Sequence, residues 1–105
     1  MGKCGDDVGT VKMLEYPKAN EIRWNLERDE ALLVFVQDGN PIHCWVTLEA
    51  LEEYARGATV EDGLAAAQEY LLVIENDLAV LVTRGRFEPD GTIRLRAADV
   101  QRMRS

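Results

Sequence analysis

The sequence predicts an α+β domain, a small antiparallel sheet packed against two helices, and three stretches carry that expectation. Residues 31–37 (ALLVFVQ) form a continuous apolar run of strand length, followed by Asp38-Gly39 and a second apolar run over 41–47. Val60, Leu64, Ala67, Leu71, Ile74, Leu78 and Leu81 recur at alternating steps of 4 and 3, the signature of one helical stripe. Residues 92–96 (TIRLR) alternate apolar and charged, as a half-buried strand does.

Taken in chain order, residues 1–10 are rich in Gly and Asp and read as a flexible tail. Residues 11–16 suit a short strand that Pro17 ends. Residues 18–30 are polar apart from Ile22, Trp24 and Leu26. Their alternation is strand-like, but the density of charge favours an irregular segment anchored by Trp24. The 31–37/41–47 hairpin turns at Asp38-Gly39, where glycine accepts a positive φ at little cost. On its return strand Ile42, Cys44 and Val46 share one face and His43 and Trp45 the other. Thr47 is placed to cap a helix over 48–56, which Gly57 stops. Thr59 with Asp62 resembles a capping box opening a second helix over 60–84. Unbroken, that helix would be about 37 Å long. Pro89-Asp90-Gly91 is a turn, 92–96 the late strand, and 97–105 a short helical turn or a frayed end. The expected division is a tail over 1–10, one domain over 11–100 and a C-terminal tail over 101–105.

Several of these stretches together resemble the DUF1488 domain family of small bacterial proteins. The residues concerned are Tyr16-Pro17; Val34-Phe35 with Gly39; Ile42-His43-Cys44-Trp45-Val46-Thr47 leading into Glu49-Ala50-Leu51; and Arg86-Phe87-Glu88-Pro89-Asp90-Gly91 followed by Ile93, Leu95 and Asp99. They cover roughly residues 13–100. The resemblance implies a compact α+β fold with a hairpin packed on helices. It implies no activity, because none is assigned to the family.

Composition narrows the function classes. With 47% hydrophobic and 30% charged residues, the 105-residue chain has enough apolar content for one core. No apolar run approaches the roughly 18 residues of a membrane span, and the first residues lack a secretion signal's apolar core. Gly2 and Cys4 suggest acylation, but Asp6 stands where the myristoylation pattern wants Ser or Thr. Two cysteines, Cys4 and Cys44, are too few for a disulfide framework, which points to the cytoplasm.

The net charge of −7 disfavours nucleic acid and anionic lipid as general partners. The charge is divided, however. Residues 1–83 carry 6 Lys/Arg against 16 Asp/Glu, and residues 84–105 carry 6 Arg against 3 Asp/Glu. Arg84, Arg86, Arg94 and Arg96 are therefore the candidate anion-binding residues, since guanidinium suits bidentate contact with phosphate or carboxylate. The alternative is that these arginines pair with the domain's own carboxylates. His43 and Trp45, outward on the hairpin, are candidate stacking residues beside them.

Chemistry finds few footholds. His43 and Cys44 are neighbours on a strand, point to opposite faces, and so cannot form a nucleophile–base pair. One His and two distant Cys make no zinc set. Glu49, Glu52 and Glu53 read as a solvated helix face. No phosphate-cradling glycine motif appears, and no cofactor is expected. A carboxylate-based active site is the enzyme reading that motif analysis leaves open. Leu72, Val73 and Val80 point away from the main stripe of the long helix and form a candidate interface. The leading expectation is a non-enzymatic interaction module forming a homodimer through that helix. A small regulator binding nucleic acid or another polyanion through the arginines is the alternative.

Overall fold

The computed structural model describes residues 14–104, with side chains through Met103. The sheet is built outward from its hairpin. β1 (Leu14–Glu15) and β2 (Arg23–Asn25) both pair antiparallel with β3 (Glu30–Gln37), and a 3₁₀ turn (Ala19–Glu21) lies between them. β3 pairs antiparallel with β4 (Asn40–Thr47) over its whole length, from Glu30 opposite Thr47 to Gln37 opposite Asn40. The two-residue loop holds Asp38 at φ 54° and Gly39 at φ 82°, the doubly positive pattern whose twist matches that of the strands.

Helices α1 (Leu48–Tyr54), α2 (Gly63–Glu69) and α3 (Leu71–Thr83) follow. The chain then returns as β5 (Ile93–Leu95), which pairs with β4, and ends in α4 (Ala97–Arg104). β5 runs parallel to β4, so the sheet is mixed rather than wholly antiparallel. The cause is topological: the three helices form a crossover that brings the chain back in the direction in which it left.

Period-2 alternation sorts the sheet into two faces. Ala31, Leu33 and Phe35 of β3 stand opposite Val46, Cys44 and Ile42 of β4, and Cys44 and Val46 stand opposite Ile93 and Leu95. All of these are buried in one core with Leu51 of α1, Ala67 of α2, Ile74, Leu78 and Leu81 of α3, and Val100 of α4. The expected helical stripe is therefore core-facing. Val60, Leu64 and Leu71 complete it as half-buried neighbours.

The stripe is not carried by one rod. Residues 60–62 lie outside the helix, and the remainder is split at Tyr70, whose backbone (φ −99°, ψ 18°) leaves helical geometry. The ladder still passes through this residue: Tyr70 N–H donates to Ala66 O at 2.9 Å, and Tyr70 O accepts from Ile74 N–H at 3.0 Å. Two contacts hold the junction against α1. The Tyr70 ring stacks on Tyr54 with centroids 6.3 Å apart, and the Tyr54 hydroxyl donates to Asp77 Oδ2 at 2.5 Å. A straight rod of about 37 Å would overhang strands of eight residues, which span about 26 Å. Splitting it keeps both arms over the core.

The helix starts differ from expectation in one case. Thr47 caps α1 as expected, its Oγ1 accepting from Ala50 N–H at 3.1 Å. α2 is capped by Asp62 itself, whose Oδ1 accepts from Ala65 N–H at 3.0 Å, and not by Thr59. Segment 18–30 contributes β2, so its alternation outweighs its charge. Trp24 is its anchor, packed against the core and lying over Gly63. Of the short strand expected over 11–16, residues 14–15 are strand and 11–13 lie outside the described residues. α4 is a full helix and runs through 104, where a tail was expected from 101.

Candidate functional site

The two candidate surfaces adjoin at the C-terminal end of α3, where Val80 and Arg84 border both. On α3 the core-facing residues leave Leu72, Val73 and Val80 on the outer side, and all three are exposed, at 78%, 37% and 36%. At 100° per residue, Leu72, Asn76, Ala79, Val80 and Thr83 fall in one narrow stripe, with Val73 at its edge. A shallow groove of about 300 Å³ runs along Ala79, Val80, Thr83 and Arg84.

The four candidate arginines come together around the loop that links α3 to β5. The turn at Pro89 folds back as a hairpin would: Glu88 N–H donates to Thr92 O at 2.7 Å, and Gly91 N–H to Glu88 O at 2.8 Å. Arg86, Arg94 and Arg96 thereby line one depression of about 200 Å³. Arg84 and Arg86 line a second of about 500 Å³ with Asp77, Asp99, Arg102 and Met103.

Their electrostatic states differ. Arg94 is half-buried beside Glu30, with Nε 3.3 Å from Oε2 and Nη2 donating to Oε1 at 3.3 Å. Glu30 also pairs with Arg28, whose Nε is 3.2 Å from Oε1. Burial pushes the Glu30 carboxyl above its ordinary range, and the Arg28 and Arg96 guanidiniums pull it partly back. Arg96 pairs with Glu88 at 3.4 Å on the surface, a contact of small energetic weight. Arg84 and Arg86 are in no ion pair among the described residues. Self-pairing therefore accounts for half of the patch and leaves Arg84 and Arg86 outside any ion pair among the described residues.

The expected stacking pair does not form an open platform. His43 is exposed opposite Val34, but Trp45 is half-buried, with the Arg28 guanidinium carbon 4.5 Å from its ring centroid. Arg28 takes the face that a base would use. Arg28 comes from the β2–β3 turn, and spacing along the chain gave no sign that it would reach Trp45.

Cys44 faces the core on the side of β4 opposite His43, and its Sγ–H points to Ile42 O at 3.7 Å. Burial pushes its pKa up to about 12 from an ordinary value near 9.0. At pH 8 about one native molecule in 10⁴ then carries the thiolate. In a Cys4→Ser variant, a disulfide-exchange reagent is expected to leave the folded protein unmodified and to titrate one thiol after denaturation. Rapid modification of the native protein would contradict the burial. The linkage has a definite sign: a raised native pKa means that its contribution to stability is full below pH 9 and declines as pH rises toward 12.

Among the described residues no three His, Cys, Asp or Glu side chains come together to hold a metal ion. No helix among them is long and apolar enough to cross a membrane. Two of the three carboxylates on the α1 face are hydrogen-bonded: Glu53 accepts from Gln101 at 3.0 Å, and Glu52 accepts from Val60 N–H at 3.5 Å.

No family model matches the chain, and no curated protein matches it. Among solved structures, the chain is similar to the crystal structure of a protein of unknown function from the DUF1488 family of Shewanella loihica PV-4. The two share 18% identity over 78% of this chain and 92% of the other, with a TM-score of 0.68. The resemblance read from the residues thus holds at the level of the fold, and the fold leaves function open.

Proposed function

We propose that this domain is a non-enzymatic interaction module of the bacterial cytoplasm that self-associates through the outer face of α3. The observation that supports this reading is the exposed stripe of Leu72, Val73 and Val80 on a helix whose other side is committed to the core. The positions suit a two-fold axis. With antiparallel helices crossing at Asn76, Leu72 of one copy meets Val80 of the other, Val73 meets Ala79, and Asn76 meets its own counterpart. An isologous contact needs such self-complementarity, and this stripe reads alike from either end. Charge fits as well: no ionised group stands between Leu72 and Val80 on the stripe.

Sedimentation velocity over a concentration series tests the reading. The wild-type chain is expected to dimerise at roughly micromolar concentrations. Leu72→Glu, which sets two carboxylates against the apolar seam, is expected to weaken the dimer by at least about tenfold, equivalent to about 1.4 kcal/mol. Its circular dichroism and thermal midpoint should stay near wild type, because Leu72 is outside the core. A wild-type chain that stays monomeric at roughly 100 μM, a free energy weaker than about −5.5 kcal/mol, would remove the proposal.

A further inference from the structure

The depressions below the C-terminal end of α3 adjoin, sharing Leu81, Arg86 and Asp99 in their walls, so that together they form one cleft between α3, the following loop, β5 and α4. We propose that this cleft binds a small organic phosphate monoester, with the dianion on Arg84 and Arg86 and the organic body against Leu81 and Met103.

Charge compensation argues for the anion. Of the acids in the larger depression, Asp99 is ion-paired and Asp77 is hydrogen-bonded to a neutral hydroxyl. Asp99 accepts from Arg96 N–H at 3.0 Å and from Arg102 Nη2 at 2.7 Å, and Asp77 accepts from the Tyr54 hydroxyl. Arg84 and Arg86 are in no ion pair among the described residues, and of the acids lining the depression with them only Asp77 is without a guanidinium partner. Arg94 adds a share, because it and Arg28 divide the single charge of Glu30. Its Nε–H is the one buried side-chain donor among the described residues without a hydrogen bond: Glu30 Oε2 is near, but out of line.

Size argues for a small ligand over a nucleic acid. Outside the last stretch of chain the molecule carries a large acidic excess, which a polyanion lying across the surface would meet. A single phosphate seated in the cleft is screened from charges beyond the Debye length of about 8–10 Å. A cavity of about 500 Å³ is within the range of small-molecule sites. Guanidinium groups bind phosphate bidentately, and both Arg84 and Arg86 line this depression.

The test is an amide-resolved NMR titration of the full chain with phenyl phosphate, inorganic phosphate and a single-stranded oligonucleotide. Phenyl phosphate is expected to saturate with a Kd on the order of 1 mM or tighter, moving the amides of Gly85, Arg86 and Phe87. Arg84→Ala/Arg86→Ala is expected to weaken it at least about tenfold, while the thermal midpoint, set by the core, stays unchanged. Inorganic phosphate is expected to bind more weakly for want of the apolar contact. Absence of shifts, or shifts that persist in the double variant, overturns the site. Equal affinity for inorganic phosphate overturns the organic body. Tighter, steeply salt-dependent binding of the oligonucleotide overturns the small ligand in favour of a polyanion.

Discussion

Phe35→Ala is expected to remove about 3–5 kcal/mol of stability, the range for deleting a fully buried aromatic side chain. Phe35 is wholly buried on β3, stands opposite Ile42, and meets the Tyr16 ring at 5.1 Å between centroids with a 58° tilt. The loss combines the transfer of the ring with the cavity left beneath the helices. A domain of this size has only about 5–15 kcal/mol in total, so the variant stands close to unfolding. Its thermal midpoint should fall by more than about 10 °C. Val34 supplies the contrast: one residue away, it points to the other face of the sheet and is half-buried. Val34→Ala is expected to cost about 1 kcal/mol. Equilibrium urea unfolding of the two variants reads the difference, and comparable losses would mean that the alternation along β3 has been placed on the wrong faces.

Gly63→Ala is the second large effect, and its cause is space rather than burial lost. A Cβ at Gly63 would lie 2.3 Å from Trp24 Cη2, 2.5 Å from Cζ3 and 2.6 Å from Cζ2. Those are rigid ring atoms, so the whole indole must shift. Overpacking of this kind typically costs about 1–3 kcal/mol. Helix propensity works the other way, since Ala is favoured over Gly by up to about 1 kcal/mol within a helix. The clash should win, for a net loss of about 1–2 kcal/mol. A double-mutant cycle isolates it. Once Trp24→Ala removes the ring, the same Gly63→Ala change is expected to be neutral or stabilising. A cycle showing no coupling would place the indole elsewhere.

The hairpin, α1 and β5 were legible because each couples a strong local signal to its burial: a Val- and Phe-rich run, an Asp-Gly turn, a capping Thr, an alternating TIRLR. The break at Tyr70 was not legible, because the stripe from Val60 to Leu81 keeps its spacing through the break. What interrupts the rod is a ring stacked on Tyr54, 16 residues earlier in the chain, together with the short reach of the sheet beneath. β2 was hidden by polarity: Arg23 and Asn25 flank Trp24, and only pairing with β3 makes it a strand. The apolar positions on α3 were readable because a helix fixes which residues leave the core side. The grouping of Arg84 and Arg86 with Arg94 and Arg96 depended on the Pro89 turn folding back, which the residues allowed but did not force. That Arg28 would cover Trp45 is a contact between a turn and a strand, and no periodicity encodes it.

The pairing of Val46 with Leu95 joins positions 49 residues apart, and it has a consequence for how the protein is made. On the ribosome the hairpin emerges first, with Cys44 and Val46 turned toward partners not yet synthesised. At about 5–20 residues per second, those partners arrive roughly 2–10 seconds later. Until then the nascent chain holds an open strand edge and a bare apolar face, the condition in which a holding chaperone is most useful.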